Sequence, residues 1–447
     1  MQGKIMMFTY KKLLAASRNN PARVFVSTCL LLIPMATSAE LFPQGVKDFF
    51  SKDNVDFLMN YRFEHVQDPT VQKYAYASTL RTVFGYKTPS MLGLRLYAQV
   101  EDVSVIGNEL YNDGGANGKT RYAVVVDPDD TELNQGYASF EGIPDTIVKA
   151  GRQLITYRDA PLHRFVGPVV WRQNWQTFDG YTFGNQSLPD TNIRGGYIYN
   201  INRIYGEDNP TLSDQGLDGF LFNVQYKGLS AGMLEAYTYL LDFDEDSFVP
   251  AGFYQSTETY GGRFVGNRGL QENTKLLYEL ELAHQSDYAD NPNDIDSMYF
   301  HGGLGVNFKT SMFIESVTFR ADYELLSGDG GADRFTTPLA TLHPFQGWAD
   351  KFLNTPGDGI EDIYFTLGAT AWGTNFTAVY HNFNSDNDDY DYGSEIDLLL
   401  TRSFFKNFTA GLKYAYYDAD TNALNVARNP GQKSDITKFW MFITYQY

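Results

Sequence analysis

Apolar and polar residues alternate along most of this chain with a period of two. Val55, Phe57, Met59, Tyr61 and Phe63 share one parity, and Asp56, Asn60, Arg62 and Glu64 share the other. Leu92, Leu94, Leu96, Ala98 and Val100 alternate with Gly93, Arg95, Tyr97, Gln99 and Glu101. The pattern returns at Phe220–Lys227, at Leu276–Gln285 and at Val317–Leu325, where Thr318, Arg320, Asp322 and Glu324 form the polar parity. A period of two is the geometry of a strand, whose successive side chains point to opposite faces. The segments read as strands are 54–66, 75–87, 91–103, 133–142, 146–155, 176–184, 195–206, 217–227, 229–241, 255–265, 274–286, 297–308, 315–327, 360–372, 374–384, 393–403, 408–418 and 435–447. That reading gives eighteen strands. The pattern is weakest over 176–206, so sixteen stays open.

Strand length decides what the apolar face touches. Each face runs for about ten residues, the length a tilted strand needs to cross a bilayer, whereas soluble strands more often span about five or six. Backbone groups inside lipid must all be paired, which only a helix or a closed barrel achieves. The chain after residue 39 has no apolar run long enough for a spanning helix. The expected fold is therefore all-β: a transmembrane antiparallel β-barrel.

Connections fall into two kinds. Tyr226-Lys227-Gly228-Leu229, Trp372-Gly373-Thr374 and Phe405-Lys406-Asn407 have the brevity of hairpin turns. Between them lie long polar stretches at 104–132, 156–175, 242–254, 328–359 and 419–434. Short turns at one end and long loops at the other is the porin arrangement. The last strand carries Phe439, Met441, Ile443, Tyr445 and Tyr447 on one face. It resembles the closing strand of an outer-membrane barrel, which the barrel-assembly machinery reads.

The N-terminal residues fit that destination. Lys4, Lys11, Lys12, Arg18 and Arg23 precede an apolar run from Val24 to Ala36 and the small residues Thr37-Ser38-Ala39. This order is that of a signal peptide over residues 1–39, cleaved near Ala39. Residues 40–53 would be a short periplasmic segment and 54–447 the barrel, with no plug domain before it. Removing 39 of the 447 residues leaves 408, and the leader's five positive charges take the net charge from −19 to −24. The one cysteine, Cys29, leaves with the leader, so no disulfide framework is expected. So acidic a chain argues against nucleic acid as a partner. It is compatible with outer-membrane lipid, since charge can sit in loops and lumen. The 32 Tyr, 33 Phe and 40 Gly suit interfacial girdles, turns and a crowded lumen.

Two stretches go beyond pattern. The first runs from Gly151-Arg152-Gln153 through Arg164-Phe165-Val166-Gly167-Pro168 to Trp171-Arg172-Gln173-Asn174-Trp175-Gln176. The second runs from Thr337-Pro338 through Leu342-His343-Pro344-Phe345-Gln346-Gly347-Trp348-Ala349-Asp350-Lys351 to Thr355-Pro356. Both resemble segments of the alginate-export family of outer-membrane porins. The resemblance implies an 18-stranded barrel with an arginine-lined lumen that passes an anionic sugar polymer. Guanidinium suits that task because it stays charged and binds carboxylates bidentately. On this basis Arg62, Arg81, Arg95, Arg152, Arg172, Arg263 and Arg320, with Glu64, Glu101, Asp322 and Glu324, are the expected pore-lining set. Arg164, Trp171, Trp175, His343, Trp348 and Asp350 are the expected loop constriction. The plainer reading of the same residues is a salt-bridged wall with tryptophans anchoring loops.

Acidity qualifies the cargo. Runs such as Asp127-Pro128-Asp129-Asp130 and Asp386-Asn387-Asp388-Asp389-Tyr390-Asp391 would repel a polyanion. The expected solute is therefore an anionic saccharide or another small polar molecule, crossing by passive diffusion. The 386–391 run lacks the glycine of a calcium loop, and no His-Glu-x-x-His sequence or nucleophile elbow occurs. No metal, cofactor or catalytic residue is expected. The alternatives from other classes are a barrel hydrolase and a surface-interaction barrel with a closed lumen.

Overall fold

The computed structural model describes residues 54–245, 252–310, 313–421 and 431–447. The expected leader and the 40–53 segment lie outside them. Eighteen antiparallel strands follow in order: β1 Val55–Gln67, β2 Ala75–Lys87, β3 Leu94–Val105, β4 Asp130–Ile143, β5 Thr146–Gln153, β6 Thr177–Asn185, β7 Thr191–Asn202, β8 Asp214–Leu229 and β9 Gly232–Phe243. The second half comprises β10 Thr257–Gln271, β11 Thr274–Asp287, β12 Asp296–Lys309, β13 Ile314–Leu326, β14 Ile360–Ala371, β15 Thr374–Asn384, β16 Asp391–Phe404, β17 Phe408–Ala419 and β18 Ile436–Gln446. Each strand pairs with its sequence neighbours, and β18 returns to pair with β1 from Leu58↔Gln446 to Gln67↔Thr437. The sheet is closed and has no free edge.

Alternation sorts the side chains as the sequence pattern predicts. Leu280, Leu304, Phe319, Phe365, Leu400 and Met441 point outward and are exposed, forming an outward apolar band. Residues of the opposite parity, such as Glu281, Asp322, Glu324 and Trp440, point inward and are buried. The core of this molecule is thus largely polar and lies in the lumen, so its buried groups must be paired with one another.

Connections differ at the two ends. Turns 144–145, 230–231, 272–273 and 372–373 close one end, while loops 106–129, 154–176 and 327–359 crowd the other. Trp372 and Gly373 both take positive φ, 50° and 67°. That is the type I′ geometry matching the twist of the flanking strands. Several boundaries depart from expectation, the largest at β10, which runs to Gln271 rather than 265. β7 starts at Thr191 rather than 195, and β8 runs to Leu229, so Lys227 and Gly228 lie within a strand and not in a turn. A register shift between Tyr226 and Leu229 lets β8 continue past the turn-like Lys227-Gly228.

Candidate solute pathway and the loops that narrow it

The 154–176 loop crosses the lumen instead of rising from the rim. Arg158 reaches Glu235 on β9 (Nε–Oε2 3.1 Å) and Glu281 on β11 (Nη1–Oε2 3.1 Å). Arg164 forms an ion pair with Glu324 on β13 at 3.0 Å. At the far wall Arg172 Nη1 lies 3.2 Å from Glu64 Oε2 on β1, and the Trp175 N–H donates to Glu101 on β3 at 3.1 Å. Gln173 joins β1 to β2: it accepts from Asn60 at 3.0 Å and donates to the Thr79 hydroxyl at 3.0 Å.

The 327–359 loop turns inward beside it. The Trp348 N–H donates to Asp397 (3.0 Å) and the Ala349 N–H to Glu395 (2.6 Å), both on β16. Gln346 donates to Glu324 (2.6 Å) and Lys438 on β18 to Asp350 (2.6 Å). The loops are also fastened together. Gly167 N–H donates to Leu339 O at 2.9 Å, Thr341 N–H to His163 O at 3.0 Å, and Arg172 lies 3.5 Å from Asp350.

A cation and three indoles close the junction. The Lys413 ammonium sits 4.1 Å from the Trp171 ring centroid, 3.9 Å from Trp348 and 5.4 Å from Trp440. Trp171 stacks on His343 with centroids 4.5 Å apart and planes 6° apart. His343 uses both ring nitrogens: Nδ1 lies 2.6 Å from Asp350 and Nε2 lies 2.6 Å from Lys413 Nζ. Ammonium has no acceptor, so Nε2 accepts and Nδ1–H donates, which makes the ring neutral. Burial first, with the nearby Lys413 and Arg172 charges, outweighs the raising effect of Asp350 and holds His343 well below the usual imidazole range. Burial acts to raise the Asp350 carboxyl, yet His343, Lys438 and Arg172 together hold it well below the carboxylate range.

These loops fill the lumen beside β1–β3 and β16–β18 and leave a cavity of about 830 Å³ along the opposite wall. Among the expected site residues, Arg164, Arg263, Arg320, Asp322, Glu324 and Trp348 line it. Arg263 Nε is 2.6 Å from Glu279, and Arg320 Nη2 is 2.9 Å from the same carboxylate. A second group is enclosed between loop and wall. Arg62 (2% exposed) pairs with Asp127, Arg81 pairs with Glu101 (0% exposed) and lies 3.8 Å over the Trp175 ring, and Glu64 is held by Arg172. These residues, with Trp171, His343 and Asp350, wedge the loops in place and do not line the cavity.

Arg95 is on the lumen face but near the turn end, 3.4 Å from Glu141. Arg152 departs from expectation. It sits opposite Asp179 on the parity of Val148, Tyr181 and Phe183, which are exposed outward, and it pairs with Asp179 and Glu207 at the loop-end rim. A glycine before it and a glutamine after it gave the sequence no parity signal there.

The cavity also receives Arg158, one of the arginines of the first motif, together with Arg194, Lys227, Glu279, Glu281 and His301, which were not among the expected site residues. Glu279 and Glu281 were visible as the polar parity of β11. Arg194 fell one residue short of the strand drawn from sequence, and Lys227 closed its strand at an apparent turn. Glu279, Glu281 and His301 bring ligand atoms within 4.8 Å of one another. Guanidiniums already neutralise both carboxylates: Arg158 on Glu281, and Arg263 and Arg320 on Glu279. The cluster is part of an ion-pair network.

A closed 18-stranded antiparallel barrel with long loops drawn into a charged lumen is the architecture of an outer-membrane porin. The chain belongs to the alginate export family, whose model matches residues 59–388. No curated protein matches the sequence. Among solved structures it is similar to Acinetobacter baumannii OccAB2 (14% identity, TM-score 0.64, covering 88% of this chain and 98% of that one). It is likewise similar to Pseudomonas aeruginosa OccK8 (OprE), at 14% identity and TM-score 0.64, and to P. aeruginosa OpdK with vanillate, at 14% and 0.62, each covering 88% of this chain and 98% of the other. At such identity the likeness is one of fold.

Proposed function

We propose that this porin passes anionic saccharides of one or two units, or organic acids of similar size, by passive diffusion through the cavity along β7–β15. The observation that carries this is the cavity itself: about 830 Å³ bounded by guanidiniums on the wall and by Arg158 and Arg164 on the inserted loop. That is the size range of small-molecule sites. The crossing loops favour short solutes over a long polymer, because the space left is a side chamber and not the full bore. OpdK was solved with vanillate, a small carboxylate of the same chemical class.

Arg164, Arg263, Arg320, Asp322, Glu324 and Trp348 would line the solute's path and set its width. Arg62, Arg81, Arg172, Glu64, Glu101, Trp171, Trp175, His343 and Asp350 would act by holding the loops. The outward apolar band would contact outer-membrane lipid. The outward residues of β18, Phe439, Met441, Ile443 and Tyr445, would serve the assembly machinery after a leader of residues 1–39 is removed. Purified protein added to a planar bilayer should give stepwise conductance. Silence at any voltage, from protein shown to be folded, would refute the channel.

A further inference from the structure

The cavity lining counts six Lys or Arg side chains and six Asp or Glu, so total charge does not make it attract anions. What matters is which cations lack a carboxylate. Arg158, Arg164, Arg263 and Arg320 each have one within 3.1 Å. Arg194 has none within 4 Å among the described residues. Its guanidinium is held by neutral acceptors: Nη1 donates to Thr156 O at 3.3 Å, and Nη2 donates to Tyr157 O at 2.6 Å and to Asn223 Oδ1 at 3.0 Å. Tyr157 also lies beneath it, 5.0 Å from the ring centroid.

Of the five N–H groups of a guanidinium, three are engaged, and Nε is enclosed without a partner. Nη1 makes one bond, on the exposed side of the group, and so keeps a second N–H uncommitted for an anion. Lys227 is the second lining cation that no carboxylate of the described residues pairs with. Register places Asn223 opposite Arg194, so Lys227 faces the lumen four residues further along β8, roughly 13 Å toward the turns. Two carboxylates face Arg194 without pairing with it: Glu235, which Arg158 and Arg263 already hold, and Asp159, which lines the cavity.

Resting on the channel reading above, we propose that Arg194 is the residue on which the anionic group of a solute docks, and that Lys227 is the next station along the path. The guanidiniums across the cavity are saturated by carboxylates and shape the passage without attracting the solute.

Current blockade by D-glucuronate, with glucose as the neutral comparator, tests this in a bilayer. Wild type should be blocked by glucuronate and far less by glucose. Arg194→Gln should raise the half-blocking concentration about tenfold or more, the scale of one charge-assisted hydrogen-bonded contact. Arg194→Lys should recover part of it, because charge returns without the planar fork. Lys227→Gln should produce a smaller rise, about threefold, and Arg152→Gln, outside the wall, should produce none. Unchanged blockade in Arg194→Gln overturns the docking role, as does an equal loss in Arg152→Gln. Wild-type conductance with no glucuronate blockade also overturns it while leaving the channel standing; absence of conductance refutes the channel itself.

Discussion

At Gly347 the backbone takes a φ of +81°, and a β-carbon built there would fall 2.4 Å from Oε2 of Glu395. That carboxylate accepts the Ala349 N–H, so the glycine lets the loop tip lie against β16. Gly347→Ala should push the tip off the wall. The expected result is larger unitary conductance with more frequent flicker, and single-channel traces indistinguishable from wild type would contradict it. Residues of this kind were the least legible in the sequence. The run around Trp348 was recognisable as a motif, but which side chain it would meet depends on strands far along the chain. Arg194 and Lys227 were missed for a more local reason. Gly195-Gly196 and Lys227-Gly228 read as strand ends, whereas the neighbouring strands carry both segments on as sheet.

The elements themselves were legible. All eighteen strands overlap the segments that alternation predicted, because an apolar outer face and a charged lumen impose opposite chemistry on every second residue. Loop conformation was not legible, since period-two reasoning does not say whether a polar loop faces water or folds inward. The 327–359 loop has a pH dependence that follows from His343 and Asp350. Free imidazole takes up a proton near pH 6.5, but the enclosed ring beside Lys413 and Arg172 resists one. Below that pH a released loop therefore binds more protons than a seated one, so acid favours release. Asp350 acts in the same direction at lower pH: its depressed value stabilises the seated loop above the free carboxylate range of about 4, and that support fades as pH falls further. Open-channel noise should rise between pH 7.5 and 5, and His343→Gln should flatten the change over that interval. A flat wild-type profile would dismiss the argument.

Across the whole molecule, the exterior is apolar and the interior is tied by ion pairs. Leu280 lies midway along β11 and is 47% exposed on the outward face. Leu280→Arg should destabilise the barrel by about 2–4 kcal/mol, the usual cost of a cation at the bilayer midplane. A fall in the urea midpoint of barrels refolded in lipid vesicles would register this, and an unchanged midpoint would show that the residue does not face the hydrocarbon.

The inserted loops have an evolutionary consequence. By lying against one side of the barrel they take much of its circumference out of touch with whatever travels through. Cargo preference can then be rewritten on the free side, around β7–β15, while the covered side keeps the scaffold intact. Substitutions that retune traffic in relatives should gather on that arc.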